Sequence, residues 1–121
     1  MTNQKHSHAY LVFLGLIQSA EKDGRIPTLE PDAKRLLEAI AVNHHAGRCI
    51  TISDAMALGS IASPATIHRK LDCLRDMGLV DAMFEGNNRR TKYLVPTTQA
   101  QCYFDTVRAF LLQACSVTQV S

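Results

Sequence analysis

Residues 51–97 read TISDAMALGSIASPATIHRKLDCLRDMGLVDAMFEGNNRRTKYLVPT, and their punctuation carries the fold. Thr51-Ile52-Ser53-Asp54 places a hydroxyl at a helix cap and a carboxylate three residues on, so each can satisfy a backbone N–H of the other. A short helix is expected from there to about Leu58-Gly59, followed by Ser60-Ile61-Ala62 as a tight connection. Ser63-Pro64 opens the next helix with a capping hydroxyl and a proline at the first helical position, where a missing N–H costs nothing. That helix runs to about Met77, with Ile67, Leu71 and Leu74 as its buried stripe, and Gly78 ends it. Leu79 to Phe84 then has strand character. Glu85-Gly86-Asn87-Asn88-Arg89-Arg90 is polar and turn-forming, and Thr91 to Val95 is a second strand ended by Pro96. Two helices joined by a short turn make a helix-turn-helix. A hairpin directly after it, with Arg89, Arg90 and Lys92 at its tip, reads as a basic wing.

Outward from this stretch the chain is helical. A first helix is expected from about His8 to Lys22, with Tyr10, Phe13, Leu14 and Ile17 on one stripe. Leu11, Val12 and Leu16 carry apolar surface around most of the remaining circumference. Such a helix needs cover on more than one side, and in 121 residues a second copy is the cover expected. Asp23-Gly24 ends it. A second helix starts at Pro31, buries Ala33, Leu36, Leu37, Ile40 and Ala41, and closes at His44-His45-Ala46-Gly47. Arg48 to Ile50 reads as a short strand. The last helix starts at Thr97 or Thr98, with Thr98 and Gln101 as a capping box. Ala100, Tyr103, Phe104, Val107, Leu111 and Ala114 line one face, and Phe110 lies alongside. The order is ααβααββα, mainly α with a small β wing.

Composition bounds the rest. The 46% hydrophobic fraction over 121 residues suits one domain, 1–121, with one core. Within it, 1–7 is a polar, disordered tail, 8–23 and 97–116 are dimerisation helices, and 31–96 is the winged helix. The net charge of +2 is mild, so the placement of charge matters more than its sum. Cys49, Cys73, Cys102 and Cys115 are too irregularly spaced for a zinc site or a disulfide framework, and are expected to be reduced, mostly buried thiols of a cytoplasmic protein. Ala9 to Ile17 is far short of a membrane span. His6, His8, His44 and His45 do not form a metal site: the first two sit in the tail region, and adjacent imidazoles diverge on a helix. There is no Gly-rich phosphate loop, nucleophile elbow, H-E-x-x-H or pair of carboxylates in an apolar setting, so no catalysis and no cofactor are expected.

The stretch 50–98 resembles the MarR-type winged-helix regulators. The resemblance is carried by residues 51–57, by Ser63-Pro64-Ala65-Thr66-Ile67-His68-Arg69-Lys70-Leu71-Asp72-Cys73-Leu74, by Met77-Gly78-Leu79-Val80, by Asn88-Arg89-Arg90 and by Tyr93-Leu94-Val95-Pro96-Thr97. It implies a homodimer built from the terminal helices, which reads DNA with the second helix of the motif and the wing. Where the family usually has an aspartate before the paired arginines, this chain has Asn88.

The candidate DNA-binding residues follow. With the apolar stripe turned inward, Ala65, Arg69 and Asp72 point out and Thr66 and His68 flank them. Ser63, Ala65, Thr66, His68, Arg69 and Lys70 are short, hydrogen-bonding or cationic, which suits a major groove. Two of them are basic and none acidic; Asp72 and Asp76 come only further along. Arg89, Arg90 and Lys92 would reach the minor groove or flanking phosphates. The candidate dimer contacts are Tyr10, Leu11, Phe13, Leu14, Ile17, Phe104, Val107, Phe110 and Leu111. Cys73, on the same helix as Arg69, reads as structural rather than as a redox switch. No small-molecule effector is named by the sequence; one would sit where the terminal helices meet the winged domain. The rival reading is a winged-helix module for protein contact or assembly that leaves DNA alone.

Overall fold

The computed structural model describes residues 2–119, with side chains described for 8–116. The elements are α1 (Thr2–Asp23), α2 (Pro31–His45), β1 (Ile50–Thr51), α3 (Ile52–Met56), α4 (Pro64–Asp76), β2 (Val80–Phe84), β3 (Lys92–Pro96) and α5 (Thr98–Gln119). The order is the expected ααβααββα. The chain partitions into two compact units, residues 29–101 and residues 1–28 with 102–121. The first helix starts at Thr2 rather than near His8, so residues 2–7, expected as a disordered tail, have helical backbone; their side chains, His6 among them, lie outside the described set.

In the unit 29–101, α2 packs on α4 and on β3. Leu36, Leu37 and Ile40 of α2 meet Ile67, Leu71 and Leu74 of α4, with Leu79, Val80 and Leu94 completing a buried apolar core. Both helices close in the same way. After α4, Gly78 adopts φ +75°, the Leu79 N–H bonds the Leu74 carbonyl and the Gly78 N–H bonds the Arg75 carbonyl. After α2, the Arg48 N–H bonds the Asn43 carbonyl at 2.9 Å and the Gly47 N–H bonds the His44 carbonyl at 3.1 Å. A glycine takes the left-handed position without a Cβ clash, and orphan carbonyls are satisfied.

That closure corrects the first strand. Arg48 donates its N–H to the end of α2, so pairing begins only at Ile50, and β1 is Ile50–Thr51 rather than Arg48–Ile50. The sheet order is β1-β3-β2, all antiparallel. Ile50 pairs with Leu94, and Val80 with Pro96 through Phe84 with Lys92. Pro96 lies inside β3 rather than just past it. It is tolerated because β1 stops opposite Leu94, so no neighbour on that side needs a proline N–H. The α3 helix is also shorter than expected. The N–H groups of Ala57 and Leu58 make three-residue bonds to Asp54 and Ala55, so the connection to α4 spans 57–63.

In the other unit, α1 buries Ile17 and Ala20 but leaves Tyr10 60% and Leu11 63% exposed. On α5, Tyr103, Phe110 and Ala114 are buried while Leu111 is 47% exposed. The buried stripe therefore runs through Phe110, with Leu111 one step round the helix, the reverse of the expected emphasis. The Arg25 guanidinium lies 5.8 Å from the centre of the Phe110 ring.

Two further expectations are corrected. Cys73, Cys102 and Cys115 are exposed and only Cys49 is half-buried. Cys102 and Cys115 adjoin the buried Tyr103 and Ala114, and a neighbour in sequence on a helix is turned about 100° away. The start of α5 is capped by Thr97 and not by a Thr98–Gln101 box. The Thr97 hydroxyl accepts the Ala100 N–H at 3.1 Å and donates to the Gly78 carbonyl at 2.6 Å. Thr98 is already helical and exposed. Thr97→Val should therefore cost about 1–2 kcal/mol of stability in urea unfolding, and Thr98→Ala less than about 0.5 kcal/mol. The opposite ranking would restore the Thr98 cap.

Candidate nucleic-acid interface

Helix α4 is set from its first residue. The Ser63 hydroxyl accepts the Thr66 N–H at 3.3 Å and bonds the Thr66 hydroxyl at 3.1 Å. Pro64 occupies the first helical position. Burial of Ile67, Leu71 and Leu74 then turns Ala65, His68, Arg69, Asp72 and Cys73 to solvent, with Thr66 half-buried. Among the described residues, Arg69 forms no ion pair, and His68 Nδ1 lies 3.4 Å from an Asp72 carboxylate oxygen.

Lys70 is the exception on this face. Its side chain is only 12% exposed, and its ammonium pairs with the Glu30 carboxylate. Glu30 stands at the N-cap of α2 but makes no side-chain capping bond there; its carboxylate turns to α4 instead. One helical turn further, the Arg35 guanidinium donates to the Ser60 carbonyl at 3.1 Å, in the turn that leads into α4. Helix α2 thus ties down both the body of α4 and its approach. A signal for this lay in the sequence: at 100° per residue, Lys70 falls only about 60° from Ile67, beside the buried stripe.

The hairpin is built around Gly86, at φ +56°, with the Asn88 N–H bonded to the Glu85 carbonyl at 3.1 Å. The Asn88 amide oxygen accepts the Arg90 N–H at 2.9 Å. It shapes the turn as a carboxylate would, without adding a negative charge beside the arginines. Arg89, Arg90 and Lys92 are exposed, and none is ion-paired among the described residues. Arg89 and Lys92 lie over the Phe84 ring, 5.6 and 5.3 Å from its centre. Sequence reasoning missed Phe84. The available signal was its place four residues after Val80, on the same face of a strand that runs past its core.

Two clefts flank these elements. One of about 500 Å³ is lined by Thr51, Ile52 and Ser53 on one side and by Phe84, Arg89, Arg90, Thr91 and Lys92 on the other. The second, of about 750 Å³, lies at the C-terminal end of α4 and is lined by Asp72, Arg75, Asp76, Gly78, Val80, Asp81 and Thr97. The first carries three cations and no carboxylate, the second three carboxylates and one cation. The described residues hold no group of three or more His, Cys, Asp or Glu that could bind a metal, and none of their helices is long and apolar enough to cross a membrane.

No family model matches the sequence, and no curated protein matches it. Solved structures do match. The chain is similar to RV1404 from Mycobacterium tuberculosis, with TM-score 0.64 and 16% identity over 99% of this chain and 78% of that one. It is similar to MepR, a transcription regulator of the Staphylococcus aureus multidrug efflux pump MepA, with TM-score 0.53 and 17% identity over 99% and 80%. Against a variant of ZitR from Lactococcus lactis the TM-score is 0.51 at 18% identity, over 77% of this chain, which spans 60% of the length of that protein. The fold implied by the resemblance to the MarR-type regulators is the fold found: the chain is a winged helix-turn-helix protein.

Proposed function

We propose that the chain is a sequence-specific duplex-DNA-binding transcriptional regulator that acts as a homodimer in the cytoplasm. The observation that carries this reading is the segregation of charge within the unit 29–101. The cap end of α4 and the hairpin tip present Arg69, Arg89, Arg90 and Lys92 without a carboxylate partner among the described residues, while Asp72, Asp76 and Asp81 gather at the other end of α4. In this reading α4 enters the major groove with Ser63, Ala65, Thr66, His68 and Arg69, and the hairpin lies on flanking phosphates or the minor groove. Lys70, held by Glu30, braces the helix rather than touching DNA. MepR, described as a transcription regulator, has the same fold at an identity too low to carry function by itself.

The homodimer reading is supported by apolar side chains that one chain leaves uncovered: Tyr10 and Leu11 on α1, Leu111 and Leu112 on α5. Phe13, Leu14, Phe104 and Val107 are half-buried beside them, whereas Ile17 and Phe110 are already buried in the single chain. Sedimentation at micromolar concentration should give a dimer. Leu11→Glu should shift it toward a folded monomer, since an unpaired charge is costly in an apolar contact and harmless where Leu11 meets water. A stable wild-type monomer would sink the dimer.

DNA reading is tested on two duplexes, a site selected from random sequence and its scramble, at one salt concentration. Arg69→Ala should cost specific binding about 1–3 kcal/mol and affect the scramble much less. Lys70→Met should leave the salt dependence unchanged, because no phosphate contact is lost. Equal losses on both duplexes for Arg69→Ala would make it a phosphate clamp. No duplex binding by the wild type would favour a protein-contact module.

A further inference from the structure

We infer that the cleft between the start of α3 and the hairpin seats a stretch of the sugar–phosphate backbone of duplex DNA, and that Phe84 is the residue that positions its cations. The inference rests on the DNA-binding reading above and assigns the part of the interface that grips the strand irrespective of sequence.

The register of β2 and β3 sets the geometry. Val80 with Pro96, Ala82 with Leu94 and Phe84 with Lys92 are cross-strand pairs, and alternate residues of a strand share a face. Val80 and Leu94 are buried on that face and Ala82 is half-buried. Phe84 is the next step along, beyond the core and 37% exposed. An apolar ring in that position adds little to the core, yet two cations from the far side of the turn, Arg89 and Lys92, converge on it. Lys92 Nζ is 5.3 Å and the Arg89 guanidinium carbon 5.6 Å from its centre, both within the roughly 6 Å over which a ring face attracts a cation.

A ring and a carboxylate restrain a cation with different consequences. A carboxylate cancels its charge, as Glu30 does for Lys70. A ring holds the side chain in place and leaves the charge available, so less freedom is lost when an anion arrives. The opposite wall suits the same ligand. Ser53 is exposed, and the Thr51 hydroxyl accepts the Asp54 N–H, which leaves its own proton to donate. Hydroxyls and cations are the usual phosphate partners. Of the acids adjoining the lining in sequence, Asp54 accepts the Thr51 N–H at 3.0 Å and Glu85 is exposed in the hairpin turn; neither is part of the lining. Three cations spread from Arg89 to Lys92 fit a chain of evenly spaced charges better than one compact anion.

The test titrates the full chain with a mixed-sequence duplex of about 30 base pairs across a salt series. Phe84→Leu keeps the apolar bulk and removes the ring face; it should weaken binding about five- to tenfold. Phe84→Tyr should restore binding to within about twofold, since a phenol ring attracts cations as well. In a background carrying Arg89→Ala and Lys92→Ala, Phe84→Leu should have less than about a twofold effect. An effect that persists there, or a Tyr variant as weak as the Leu variant, would show that Phe84 only shapes the hairpin and would overturn the inference. So would normal binding by Phe84→Leu alongside weakened binding by Arg89→Ala with Arg90→Ala, an outcome that leaves the DNA-binding reading standing. Displacement of the duplex by inorganic phosphate beyond the effect of matched ionic strength would assign the cleft to a free anion instead. Failure of the wild type to bind any duplex would overturn the reading itself.

Discussion

Burial of one apolar stripe on α4 decides what the rest of the molecule can present. Ile67, Leu71 and Leu74 are each 3% exposed or less, and losing any one of them to alanine would cost on the order of 2–5 kcal/mol. A helix has one rotation that satisfies such a stripe. Once the stripe lies against Leu36, Leu37 and Ile40, the outward set follows from the 100° step: Ala65, His68, Arg69 and Asp72. The same core receives Leu79, Val80 and Leu94, so the hairpin is anchored to the helix whose end it flanks. The exposed face of α4 is therefore a by-product of packing, and its side chains are not constrained by the core.

Rotation about the axis is fixed by hydrophobic contact, but sliding along it is not, because apolar contacts are weakly directional. Polar ties supply that constraint. Glu30 gives up capping α2 to hold Lys70, and Arg35 holds the carbonyl of Ser60. A pair with one member 72% exposed and the other 12% is worth little in stability. Its directional bond is what matters: it pins the level of α4 against α2. The Thr97 hydroxyl plays the same part at the other end, linking the start of α5 to the Gly78 turn.

Much of this was legible in the sequence because it is written in local chemistry. Ser63-Pro64, the Thr51–Asp54 capping box and Gly78 each specify a backbone state within three or four residues, and all three formed as read. Misreadings arose where a backbone group had a choice of partners. The Arg48 N–H could pair in a sheet or close a helix. Thr97 and Thr98 could each cap α5, and only Thr97 reaches the Gly78 carbonyl, a partner 19 residues away. Site residues divide in the same way. Arg69 and the wing arginines were visible from pattern, since exposure at a helix face or turn tip is a local property. The ion pair of Lys70 and the cation contacts of Phe84 were not legible, because the first depends on Glu30, 40 residues off in sequence, and the second on a cross-strand neighbour fixed by register.

Those two residues show how a nearly neutral chain can hold a directed charge. The net charge of +2 says little about partners, since exposed charges act over about one Debye length, near 8–10 Å in ordinary salt. At that range Arg89, Arg90 and Lys92 outnumber Glu85, the one carboxylate of the hairpin turn, and no carboxylate lines the cleft beside them. The field at the far end of α4 is set by Asp72, Asp76 and Asp81. Lys70 belongs to neither region, because Glu30 removes it from the sum. In the proposed DNA-binding reading, a free cation on the α4 face would attract every polyanion alike, because charge attraction carries no sequence information. Tying Lys70 to a carboxylate leaves the forked, directional Arg69 as the unpaired cation of the exposed α4 face, while Arg89 and Lys92 on the hairpin are held over a ring that leaves their charge intact. Under the proposed reading, grip and base reading would fall to different cations, separated by the choice of restraint, carboxylate or aromatic face, applied to side chains of the same sign.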